Sequence, residues 1–138
     1  MSDLLEHIAA HEEAIAREWA RALRALPGSP YAELDDEALN ASIRRSCQAL
    51  LKVMQTGDMS AMEEMLRASA RLRIAAGMSY SDNMAAWLLY RQVLQPVLAE
   101  QLKDPDAWEQ LVDRVDAALD WVMTVLYDVY KKERRPDS

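Results

Sequence analysis

Residues 66–94 read LRASARLRIAAGMSYSDNMAAWLLYRQVL, and the punctuation of this stretch decides the fold. Leading into it, Met62, Met65, Leu66, Ser69, Leu72 and Ala76 recur at steps of three and four, the spacing of one helix face. Glu63, Glu64, Arg67 and Arg71 fall largely outside that stripe, as solvated positions do. Gly77 then supplies the helix stop, because glycine enters the left-handed region without a Cβ clash. Met78 is placed to fold back on the last turn. Ser79 is a good N-cap, with Asp82 three residues on to face the free amides and the helix dipole. The return helix carries Met84, Trp87, Leu88, Arg91, Leu94 and Leu98 on one side, with a kink expected at Pro96. The stretch therefore predicts an antiparallel helical hairpin around which the other helices pack.

Arg91 is the odd member of that apolar stripe. A guanidinium there needs a carboxylate or water, since a buried unpaired charge is very costly. Asp116 and Asp120 are the candidate partners for a structural ion pair. The sharper reading puts Arg91 in a pocket for an anionic ligand, with Trp19, Tyr31 and Trp87 converging on the same cavity.

A chain of 138 residues fits one domain, here read as 1–138 with flexible ends at 1–3 and 134–138. Composition is 51% apolar and 28% charged with only 3 Gly, the profile of a helical globular protein. A net charge of −7 argues against general nucleic-acid binding, and the short basic run of Lys131, Lys132, Arg134 and Arg135 better complements a helix C-terminus. The single Cys47 rules out an internal disulfide framework and fits a reduced, cytoplasmic setting. No apolar run approaches the roughly 20 residues that span a bilayer, so no membrane role is expected.

Around the hairpin, an apolar stripe from Leu4 through Ile8, Ile15 and Trp19 to about Leu26 predicts one N-terminal helix, capped by Ser2 or Asp3. Residues 27–36, with Pro27, Gly28 and Pro30, form the long connection, and Tyr31 and Leu34 tuck inward from it. Asp35 caps a second helix whose buried face runs through Leu39, Ile43, Cys47, Leu50 and Met54 to a stop at Gly57. Asp104 and Pro105 open the last and longest helix, 105–133. Its stripe of Val112, Val115, Leu119, Val122, Leu126 and Val129 is a heptad seam, widened by Leu111, Ala118 and Val125. That is more apolar surface than one neighbour covers. Either the helix is central to the core, or Trp108, Val115, Trp121, Val122 and Val129 contribute to a homodimer interface. The whole is an all-α bundle of about five helices.

No catalytic constellation is present. His7 and His11, at i,i+4, are the only histidines, and no Glu-x-x-His pair occurs, so neither a metalloenzyme nor any bound metal is expected. Met59, Met62 and Met65 read as core filling, and Cys47 as a small core residue.

In order along the chain, Leu26-Pro27-Gly28-Ser29-Pro30-Tyr31, Thr56-Gly57-Asp58, Arg73-x-x-x-Gly77-Met78-Ser79 and Leu88-Leu89-Tyr90-Arg91-Gln92-Val93-Leu94 resemble the RsbRD N-terminal domain family. These are helical input domains found ahead of STAS domains in RsbT co-antagonist proteins, and ahead of some kinase and other output domains. The resemblance implies a non-enzymatic sensory or regulatory domain with a globin-like helical shape lacking haem, no cofactor, a dimeric state, and a last helix pointing toward an output module or partner protein. The sequence runs to Arg135-Pro136-Asp137-Ser138 without such a module, leaving an excised input domain or a stand-alone member acting by association. The competing function is a small-molecule or cofactor-binding bundle with an internal pocket around Trp87 and Arg91.

Overall fold

A computed structural model describes residues 2–26 and 30–133. The chain runs α1 (Ser2–Ala10), α2 (Glu12–Arg24), a 3-10 turn (Pro30–Glu33), α3 (Asp36–Thr56), α4 (Ser60–Ala75), α5 (Tyr80–Leu98) and α6 (Pro105–Glu133). The all-α bundle read from the sequence is what the structure shows, and no strand occurs among the described residues. The expected flexible ends, the capping role of Ser2 or Asp3, and the conformation of Pro27, Gly28 and Ser29 lie outside what the structure describes.

One expected helix is two. The N-terminal stripe breaks at His11, whose backbone sits at φ −112 and ψ 19, and its Nδ1 lies 2.9 Å from the His7 carbonyl oxygen. Apolar spacing could not reveal this, because Ile8 and Ile15 are buried on both sides of the break.

The other boundaries follow from their caps. Asp35 accepts from the Ala38 amide at 2.7 Å and Ser79 accepts from the Asp82 amide at 3.0 Å. Gly57 closes α3 at φ 75, and Gly77 follows α4 at φ 88. After Gly77 the Met78 amide reaches back to the Arg73 carbonyl at 2.9 Å, while the Gly77 amide bonds Ile74 at 2.9 Å. These two bonds form the paired closure of a Schellman turn, and Met78 is buried beneath it.

The hairpin stands, but its faces are rotated from those expected. On α4 the buried residues are Met62, Leu66 and Ala70, while Leu72 is 67% exposed. The reason is that α4 packs chiefly on α6, and Arg67 bridges Glu63 at 3.0 Å and Asp128 of α6 at 2.9 Å. That leaves Met65, Ser69 and Leu72 facing the α3 side. On α5 the buried face is Asn83, Ala86, Trp87, Tyr90, Val93, Leu94 and Leu98, with Leu88 exposed at the surface.

The centre of the bundle is α6, which touches α1, α3, α4 and α5. Its buried stripe includes Leu111, Val115, Leu119, Val122, Leu126 and Val129. No helix among the described residues is long and apolar enough to cross a membrane.

Tyr90 is fully enclosed and its hydroxyl has no hydrogen-bond partner among the described residues. Burial, with smaller contributions from nearby Cys47 and Glu12, pushes its pKa far up, so it is a neutral phenol. An unmade buried hydrogen bond is a net cost, so Tyr90→Phe should leave stability unchanged or raise it by about 1 kcal/mol, read from urea unfolding.

Candidate functional site

Three of the four aromatic and cationic residues expected to converge do so. Trp19 from α2, Tyr31 from the 3-10 turn and Trp87 from α5 line one internal cavity. Trp19 is anchored there: its Nε1–H donates to the Ala86 carbonyl at 2.9 Å, and its ring meets Trp87 edge-on at 5.5 Å and Tyr90 at 5.1 Å. The cavity is small, about 20 Å³, which is room for a single water.

The fourth residue, Arg91, is not among those lining it. Arg91 lies on the α6 side of α5, pairs with Asp116 at 3.0 Å, and keeps half its side chain in solvent. This is the structural ion pair anticipated as one of its two readings. The guanidinium at the cavity comes from Arg73, near the C-terminal end of α4. It lies 4.8 Å over the Tyr31 ring, and its Nε–H donates to the Tyr31 hydroxyl at 3.3 Å. Sequence reading did not single out Arg73 as a site residue and named it only within the Arg73-x-x-x-Gly77-Met78-Ser79 motif. Its only trace was its place one turn before the Gly77 stop.

The cavity continues outward into a crevice of about 340 Å³ between α3 and α4. Ser42, Ser46, Ser69 and Arg73 line both spaces. Apolar side chains of Leu34, Met65 and Leu72 form the outer wall, with Arg45 beside them.

The seam residues end up inside the subunit. Val115, Val122 and Val129 are enclosed by the chain's own helices, Val122 with 0% exposure, which corrects the expectation that they reach a partner. Trp108 and Trp121 are half-buried against the core and retain some outer surface. Cys47 is a core residue, its thiol pushed up to about 12 by burial and, less, by Glu12. That makes it a poor nucleophile. No cluster of three or more metal-ligating side chains occurs among the described residues.

A sequence model of the family described as the RsbT co-antagonist protein rsbRD N-terminal domain matches residues 13–136. The chain belongs to this family, and so to a class of regulatory input domains of the stressosome type. Comparison with curated proteins gives no match, and neither does comparison with solved structures.

The two arginines separate by experiment. Arg91→Gln should change the unfolding free energy by less than about 0.5 kcal/mol, as for a half-exposed ion pair. Arg73→Gln, which loses the Tyr31 ring and hydroxyl contacts, should cost about 1 kcal/mol in the same urea titration.

Proposed function

We propose that this domain is a cytoplasmic, non-enzymatic signal-input module that works as a homodimer. It passes its state through the C-terminal end of α6 to an output module or partner protein. The observation that carries this reading is a buried polar tie between the α4–α5 turn and the last turns of α6. The Tyr130 hydroxyl donates to the Met78 carbonyl at 2.9 Å and accepts from Asn83 Nδ2 at 3.3 Å. Asn83 is the one buried polar residue of the described core. A buried amide and phenol that satisfy each other fix one geometry, where apolar contacts would tolerate several.

Ion pairs hold the outer side of the same end. Arg67 and Lys132 both reach Asp128, at 2.9 and 3.2 Å, and keep its carboxyl below the usual carboxylate range. Arg71 approaches Glu133 at 3.9 Å. Anything that shifts the α4–α5 hairpin must therefore break these ties or carry α6 with it, which supports α6 as the output element.

For self-association the supporting feature is the large apolar side chains left outside the core on α5 and α6. Tyr127 there is 57% exposed and Leu88 is exposed as well. Trp108 and Trp121 are half-buried and keep some outer surface at other angles around α6.

Tyr130→Phe leaves Asn83 and the Met78 carbonyl without their shared hydroxyl. Hydrogen exchange should quicken in residues 76–83 and 126–133, while the α2–α3 contact keeps its protection. Uniform loosening, or none, would refute the coupling. Sedimentation equilibrium should show a reversible dimer that Tyr127→Glu weakens, and a strict monomer at high concentration would refute the homodimer.

A further inference from the structure

The crevice between α3 and α4 holds two cationic side chains that no carboxylate of the described bundle neutralises. Neither Arg45 nor Arg73 has a carboxylate within ion-pair distance among the described residues, although acids outnumber Lys and Arg by 23 to 16 in the chain. Both arginines line the same crevice. Ser42, Ser46 and Ser69 are half-buried on its two walls, and none of their hydroxyls bonds to another described residue. Serine in a helix commonly returns its hydroxyl to a carbonyl one turn back, so three that do not, facing one space, are donors left for something else. Against them stands an apolar wall of Leu34, Met65 and Leu72, with Leu72 67% exposed at the mouth.

We propose that this crevice binds a small amphipathic monocarboxylate. The carboxylate sits between Arg73 and Arg45 with the serine hydroxyls donating to it, and the apolar body lies along Met65 and Leu72. Guanidinium and carboxylate form strong charge-assisted hydrogen bonds. Tyr31, stacked under Arg73, holds that guanidinium in place before the ligand arrives. A bare inorganic anion would leave the apolar wall wet, and a neutral apolar molecule would leave two arginines without counter-charge. The roughly 340 Å³ of space suits a ligand at the small end of the usual range. The site rests on this geometry alone and is independent of the dimeric and output roles proposed above.

The test uses the whole chain with octanoate as probe, and octanol, octylamine and inorganic phosphate as comparisons. Calorimetry follows binding, and tryptophan fluorescence reports on Trp19 and Trp87, which line the small cavity that shares Ser42, Ser46, Ser69 and Arg73 with the crevice. Octanoate should bind saturably and change the fluorescence, with each comparison compound at least about tenfold weaker. Arg73→Gln should weaken octanoate by about tenfold or more, Arg45→Gln severalfold, and Arg91→Gln not at all. Because Arg73 also supports Tyr31, Ser69→Leu provides a second arm: it fills the crevice from a half-buried helix position and should abolish binding at an unchanged melting temperature. No octanoate binding, equal binding of octanol, octylamine or phosphate, or octanoate affinity that survives both Arg73→Gln and Ser69→Leu, would overturn the proposal.

Discussion

Removing the apolar stripe of α6 from water requires neighbours along its whole length, opposite a face that stays in solvent. Val115, Leu119, Val122, Leu126 and Val129 of the heptad seam are buried, Leu111, Ala118 and Val125 widen it, and Val112 at its start is half-buried. Each large member contributes about 2 kcal/mol when enclosed, so a partial covering would forfeit much of the stability of a domain this size. The chain meets the demand with its own elements, laying α1, α3, α4 and α5 against α6. Placing α6 at the centre dictates much else. The α4 face turns toward α6 and takes Arg67 with it to Asp128, which leaves Met65, Ser69 and Leu72 directed at α3. The crevice between α3 and α4 is thus a by-product of how the seam is covered.

The polar interactions that matter most lie where this packing ends. A turn closed by Gly77 sends Met78 into the core, with its amide on the Arg73 carbonyl and its own carbonyl on the Tyr130 hydroxyl. The ion pairs nearby are partly exposed and hold little energy individually. The Asn83–Tyr130–Met78 arrangement differs because it is buried. Breaking it strands an amide or a carbonyl away from water, and that penalty makes the end of α6 answer to the turn.

Much of the fold was legible because local rules and burial agreed. Asp35, Gly57, Gly77, Ser79 and Asp104 with Pro105 each mark an observed boundary, since capping is chemistry between near neighbours in sequence. What could not be read depended on which neighbour a helix chooses. Leu72 and Leu88 carry core-type side chains at helical spacing, and only the tertiary arrangement decides that they face out. The break at His11 left no trace because both half-helices keep the same apolar stripe. Trp19, Tyr31 and Trp87 could be named as a group, but the arginine beside them could not: the packing of α5 on α6 gives Arg91 to Asp116, and the packing of α4 leaves Arg73 at Tyr31. The wide stripe on α6 posed a choice between a central helix and an interface, and the buried valines resolve it toward the centre.

Arg73 belongs to two local systems at once. Its side chain lines the crevice and covers Tyr31, while its backbone carbonyl receives the Met78 amide that closes the hairpin. Met78 in turn accepts the Tyr130 hydroxyl from α6. An anion drawing on the guanidinium therefore acts on the residue that sets the turn, and the turn holds the end of α6 through a buried bond. Such a chain transmits only if the two states differ in affinity for the ligand, since a ligand indifferent to the position of Arg73 shifts nothing. The stack on Tyr31 supplies a basis for that difference. The 3-10 turn that carries Tyr31 is itself joined to α2 and α3 by Arg24, which donates to the Leu34 carbonyl and to Asp36, both at 2.8 Å. Displacing the Arg73 side chain thus costs its contacts with a Tyr31 that is held on the α2–α3 side. The crevice and the hairpin turn share one residue, Arg73, whose side chain belongs to the first and whose carbonyl belongs to the second.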